Sequence, residues 1–209
     1  MKKIFLFLIF LLSLSVKAQT GFKPLTSLDR FKADLQTESA ALTSLESSFT
    51  QTKYINLLSE KIVSTGVFYY GKPDKICLDY QKPVKYLIVI NGDKIRVDSD
   101  GKTNTYDLGR NKMMAQINVL IAACMTGDID RLSSAYTLSV SENDRQYLVG
   151  VLPSGSAKSY LKSIDIYLDK KDFSVQKLKI TEPSDDYTEY EFTAKKKNPL
   201  IPDAKFSIK

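Results

Sequence analysis

Histidine is missing altogether from the 209 residues. A chain without it lacks the usual general base near neutral pH and the commonest metal ligand. Serine, cysteine and zinc enzymes of the familiar kinds are therefore set aside, and no catalytic residue, metal ligand or cofactor is assigned. Cysteine is nearly absent too, Cys77 and Cys124 being the only two. Cys77 sits in a strand pattern between Ile76 and Leu78, Cys124 in a helical one. Both read as small buried apolar side chains, with a disulfide between them as the alternative in an oxidising compartment. Excess charge is slight: the formal +6 falls to +3 (6 − 3) once Lys2, Lys3 and Lys17 are removed, which does not argue for nucleic acid. There is no internal repeat, linker or low-complexity tract, so one domain is expected.

The one long apolar run lies at the start, where Lys2 and Lys3 precede Ile4 to Leu12 and the pattern continues to Val16. It is short for a membrane span, which takes about 20 residues. Val16-Lys17-Ala18 offers the small residues a signal peptidase reads. Residues 1–18 are thus expected to be a cleavable export signal cut after Ala18, leaving a soluble domain of 191 residues (209 − 18) at 19–209. No cysteine stands at the cut to carry a lipid anchor.

Ser27 is placed to cap a helix whose apolar stripe is Leu28, Phe31 and Leu35. Strand patterns follow at 45–54, 60–70, 75–80, 85–90 and 94–98, with Asn91-Gly92 and Asp100-Gly101 as hairpin turns. From Lys112 the period becomes helical, with Met113, Ile117, Leu120, Ile121 and Cys124 on one side until Gly127, and a short helix is expected over 128–134. Strands resume at 136–140, 145–152, 163–169, 174–181, 187–194 and 204–208. The total is a mostly β, α+β fold of about ten antiparallel strands. A sheet of that size must curl, and the helices are the natural cover for its hollow face.

The polar motifs reduce to turns. Asp98-Ser-Asp100-Gly101 carries Lys102 where a calcium loop needs its next ligand, Pro153-Ser-Gly-Ser156 lacks nucleophile-elbow spacing, and Lys195-Lys-Lys197 reads as a solvated connection.

Taken together, Leu45 with Phe49-Thr-Gln51, then Gly66, Phe68, Lys72-Pro73, the strand to Tyr80, Pro83 and Asn91-Gly92 resemble a known family. That family is the periplasmic lipoprotein carrier of Gram-negative bacteria, LolA, with its outer-membrane receptor relative LolB. Leu120-Ile121-Ala122, Asn198 and Ala204-Lys-Phe206 are also similar. The resemblance implies an unclosed β-barrel lidded by helices, and a soluble, monomeric, non-enzymatic carrier. Such a carrier shelters the acyl chains of lipoproteins between the inner and outer membranes. It implies as partners an inner-membrane lipoprotein-releasing transporter and, as a further candidate, an outer-membrane receptor. Carriage of another lipid or glycolipid, or a lipoprotein-sensing regulatory module, are the alternatives.

Carried onto this chain, the resemblance makes Phe49, Phe68, Tyr70, Ile76, Leu78, Tyr80, Leu87 and Val89 the walls of the lipid site. Leu28, Phe31, Leu35, Met113, Ile117, Leu120 and Ile121 become its cover. Each of these positions would also serve an ordinary core. Two departures stand out. Lys72 occupies the place of the usual arginine latch, and a lysine offers point-charge donors in place of a planar fork. The chain also stops three residues after Phe206, where many proteobacterial carriers continue with an extra loop and strand.

Overall fold

The computed structural model describes residues 21–110 and 136–209. The expected export signal, the mid-chain helix with Met113, Ile117, Leu120 and Ile121, and Cys124 lie outside the described residues.

Helix α1, Leu28–Ala41, begins as the sequence suggests: the Ser27 hydroxyl accepts from the Arg30 N–H. Its buried side chains are Phe31, Leu35 and Ser39, spaced four apart and therefore on one face. Around it the described residues form twelve strands: β1 Lys23–Pro24, β2 Ser44–Ile55, β3 Glu60–Gly71, β4 Lys75–Lys82, β5 Tyr86–Asn91, β6 Lys94–Ser99, β7 Lys102–Asp107, β8 Tyr136–Glu142, β9 Gln146–Pro153, β10 Ser163–Asp169, β11 Val175–Thr181 and β12 Tyr187–Lys197. They make a single antiparallel sheet in the order β1-β8-β9-β10-β11-β12-β2-β3-β4-β5-β6-β7. Two meanders, β2–β7 and β8–β12, are thus sewn together by the long β12–β2 pair, and the sheet stays open between β1 and β7.

Twelve strands replace the expected ten or so. The additions carry no apolar alternation: β1 is two residues, and every residue of the edge strand β7 is exposed. The strand expected over 204–208 is instead a single 3-10 turn, Asp203–Phe206. Phe206 turns inward there to pack on Cys77 and Val89, so burial of one ring, not strand pairing, fixes that segment.

Alternation decides what each face buries. In β3, burial falls on every second residue, Ser64, Gly66, Phe68 and Tyr70, until Gly71 joins them at the strand's end, and β10 alternates likewise with Ile164, Ile166 and Leu168 buried. These positions line the concave side in two adjoining clusters. One joins Phe31 and Leu35 of α1 to the β8–β11 wall; the other spans β2 to β6. Val175, Tyr190 and Phe192 pack against both.

Candidate functional site

Strand register defines the hollow. Tyr70 faces Ile76, Phe68 faces Leu78 and Gly66 faces Tyr80 across β3 and β4. Ile76 then faces Ile90, Leu78 faces Ile88 and Tyr80 faces Tyr86 across β4 and β5. With Phe49 of β2, these side chains form one apolar wall, bringing together Phe49, Phe68, Tyr70, Ile76, Leu78 and Tyr80.

Leu87 and Val89 belong elsewhere, which corrects their expected place. Val89 pairs with Cys77 and Leu87 with Asp79, on the convex face under Phe206, Ile201 and Ile208. Residues 87–90 are apolar at every position, so the pattern could not say which pair faces in. Cys77 is a free thiol there, and burial pushes its pKa up to about 11. On α1, Phe31 and Leu35 are sealed against the β8–β11 wall, whereas Leu28, on the first turn, is 46% exposed. Tyr190, Phe192, Val149, Val151, Ile164 and Ile166 share this apolar face and were not among the expected site residues. Their strands were read correctly, and period-2 alternation in Ser163–Asp169 was the available signal.

Rings pack edge to face along the wall: Phe49 against Tyr80 at 4.9 Å and Phe68 against Phe192 at 5.4 Å. Tyr80 also stacks on Tyr86 at 3.9 Å. A short polar chain crosses this surface. Gln51 Nε2 donates to the Tyr190 hydroxyl at 2.9 Å, which shares a 3.1 Å hydrogen bond with the Tyr80 hydroxyl. Burial drives the pKa of both tyrosines upward, so they stay neutral and the interior carries no phenolate. Burial, with Asp74 adding, likewise pushes Tyr70 up to about 12; its hydroxyl donates to the Pro73 carbonyl.

The C-terminal end of α1 has no basic residue in its own last turn, and distant side chains serve its free carbonyls instead. Lys72 Nζ, from the β3–β4 turn, donates to the carbonyls of Ser39 and Ala40 at 3.0 and 3.1 Å. Asn198 Nδ2 donates to the Ala41 carbonyl at 3.0 Å, while its Oδ1 accepts from the Thr43 N–H at 2.8 Å. A cation at this end also suits the helix dipole. The space left between this turn of α1 and the sheet, bordered by Leu42, Leu45, Phe173 and Val175, is about 30 Å³. That holds a water or two and is far below an ordinary ligand pocket of about 300 Å³ or more.

Lys72→Ala is expected to weaken this clamp by about 1 kcal/mol, the scale for hydrogen bonds near the surface. Hydrogen exchange followed by mass spectrometry should then show faster exchange in residues 28–42 with the sheet unchanged. Lys72→Arg should restore protection, and equal rates in all three proteins would show that the clamp does not hold α1.

Fold and hollow define a one-sheet α+β protein whose apolar concave face lies partly under a side-chain-clamped helix. Residues 40–209 match the family model described as Outer membrane lipoprotein carrier protein LolA, and the chain belongs to the LolA family. Among curated proteins, none matches it by sequence. Among solved structures, it is similar to an uncharacterized conserved protein from Thermus thermophilus, at 9% identity and TM-score 0.52, covering 85% of this chain and 92% of that one. It is also similar to the Pseudomonas aeruginosa MucA/MucB complex, at 12% identity and TM-score 0.49, covering 85% of this chain and 59% of that one. A LolA superfamily protein from Nitrosomonas europaea is 9% identical with TM-score 0.43, covering 84% of this chain and 97% of that one. The chain thus spans 59% of the MucA/MucB relative, less than two thirds of its length. At these identities the likenesses speak to the fold alone.

Proposed function

We propose that this chain is a soluble periplasmic carrier that takes the acyl chains of lipoproteins into its concave interior and moves them from the inner to the outer membrane. The observation that carries this reading is the continuous apolar wall from β8 to β6, covered in part by a helix that polar side chains hold at its end. Each methylene moved from water to such a wall gains about 0.8 kcal/mol, so a lipid chain has a strong incentive to enter. Release needs a cover held by something reversible, and hydrogen bonds to backbone carbonyls meet that need.

In this mechanism Phe49, Phe68, Tyr70, Ile76, Leu78 and Tyr80 contact the chains. Phe31 and Leu35, with Met113, Ile117, Leu120 and Ile121, form the cover, Leu28 meets cargo at its margin, and Lys72 is the latch. Residues 1–18 direct export and 19–209 form the carrier. An inner-membrane lipoprotein-releasing transporter loads it, and an outer-membrane receptor unloads it.

The protein mixed with a detergent-solubilised triacylated lipoprotein, and then freed of detergent, should yield a soluble one-to-one complex on size exclusion. The same lipoprotein stripped of its acyl chains should not bind. Aggregation of the lipoprotein with the carrier left alone would reject the proposal.

A further inference from the structure

The concave wall changes character along its strands. Starting from the Lys72 end, its rows across β2, β3 and β4 are Leu45–Tyr70–Ile76, Ser47–Phe68–Leu78 and Phe49–Gly66–Tyr80. Polar groups in these rows are mostly spent on backbone: the Ser47 hydroxyl donates to the Thr193 carbonyl and the Tyr70 hydroxyl to that of Pro73. The row that follows is Tyr190–Gln51–Ser64, from β12, β2 and β3. Every one of its side chains is polar.

These groups do not satisfy one another. Gln51 Nε2 spends one hydrogen on the Tyr190 hydroxyl, and its second N–H and its Oε1 have no partner among the described residues. Ser64 is only 9% exposed, and its hydroxyl has none there either. A single hydrogen bond joins the Tyr190 and Tyr80 hydroxyls, which uses one of their two hydrogens, so one O–H is spare whichever of them donates. Among the described residues, the side-chain atoms that are both fully enclosed and unpaired are Arg96 Nε and Asp98 Oδ1. The free groups of Gln51 and Ser64 are therefore open to the hollow. Protein groups this deep are normally paired, and spare donors at the end of an apolar wall suit a ligand that brings its own acceptor.

That acceptor is uncharged. The row holds no cation, and Lys53, the next position of β2 in the same alternation, is exposed. A carboxylate in this place would give up water with no countercharge beside it, which is costly, whereas a carbonyl oxygen asks for no more than hydrogen bonds. The geometry points to Gln51, Ser64 and the Tyr190–Tyr80 hydroxyl pair as a polar subsite that grips the neutral acyl carbonyl, ester or amide, of a ligand whose chain lies along Phe49, Phe68 and Ile76 toward Lys72. This rests on the reading that the interior takes acyl chains, and adds the direction of the chain and the chemistry of its head.

Binding is read by displacement of the neutral apolar dye N-phenyl-1-naphthylamine from protein recovered from the soluble fraction after expression of the full-length gene. Four competitors share a twelve-carbon chain: 1-monolauroylglycerol and N-lauroylethanolamine carry the carbonyl as ester and amide, 1-O-dodecylglycerol lacks it, and dodecanoate carries a charge. At neutral pH at least one carbonyl ligand should bind about tenfold more tightly than the ether and than dodecanoate, and the tighter of the two names the linkage. S64A should cut that preference severalfold and Q51L/S64A should abolish it, with the ether bound as by the wild type; S64A alone keeps the test decisive if the double variant is unstable. Equal binding of ether and carbonyl ligands, binding of dodecanoate as tight as that of the ester and the amide, or full preference retained in S64A would overturn the subsite while leaving the acyl-chain reading in place. Binding of none of the four would overturn both.

Discussion

Gly66→Ala should cost about 3 kcal/mol of stability, the upper end of what overpacking does. A Cβ at residue 66 would lie 2.2 Å from the Asp79 carbonyl oxygen and 2.7 Å from Cζ of Phe49. The carbonyl belongs to the neighbouring strand and cannot step aside without breaking the β3–β4 ladder, which already shifts register between Thr65 and Gly66. Phe49 is pinned by its edge contact with Tyr80, itself stacked on Tyr86 and hydrogen-bonded to Tyr190. The phenyl ring fills the place a side chain at 66 would take, so the glycine and the aromatic belong to one packing solution. A domain of this size loses about 2–4 °C of Tm per kcal/mol, so a thermal melt should drop by about 6–12 °C. Gly150→Ala is the internal control. Its new Cβ meets the Ser139 hydroxyl at 2.7 Å, and that group can rotate away, so little change is expected. Matching melts for wild type and Gly66→Ala would remove the steric argument.

That packing shows what could be read in advance and what could not. Phe49, Gly66 and Tyr80 were visible as a pattern, and alternation placed most strands because a half-buried strand writes its inward face into every second residue. β7 left no such trace, since an exposed edge strand buries nothing. Residues 87–90 failed for the opposite reason: the Asp203–Phe206 turn covers the convex face locally, so both faces are apolar and the inward set cannot be told from the outward one. The clamp was half legible. Lys72 stood out beside Pro73, but its partners are carbonyls of α1, and a backbone acceptor has no residue-type signature. Asn198 was part of the recognised pattern for the same unseen reason: it holds the end of a helix 157 residues away in sequence. Gln51, likewise, is read as a polar residue in a strand until Tyr190 is brought beside it.

Under the proposed carrier mechanism, Phe31→Ala combined with Leu35→Ala should raise apparent affinity for a fluorescent fatty-acid probe by about a hundredfold or more. Both side chains are almost completely buried against the β8–β11 wall, and the space bordered by Leu42, Leu45, Phe173 and Val175 at the end of the helix is about 30 Å³. In this arrangement α1 occupies surface that an acyl chain needs, and cargo binding must first expel it. Two large apolar side chains at about 1.5–3 kcal/mol each set that expulsion at about 3–6 kcal/mol, or about two to four powers of ten in affinity. Removing them lets the vacant state form more often, and apparent affinity rises in proportion to its population. Lys72→Ala should act in the same direction but only severalfold, since it releases one end of the helix and none of its apolar face. A fluorescence titration reads both. The sign of the change distinguishes two roles for α1: a gain in affinity makes it a competitor that vacates the hollow, whereas a loss makes it a wall that closes over bound lipid.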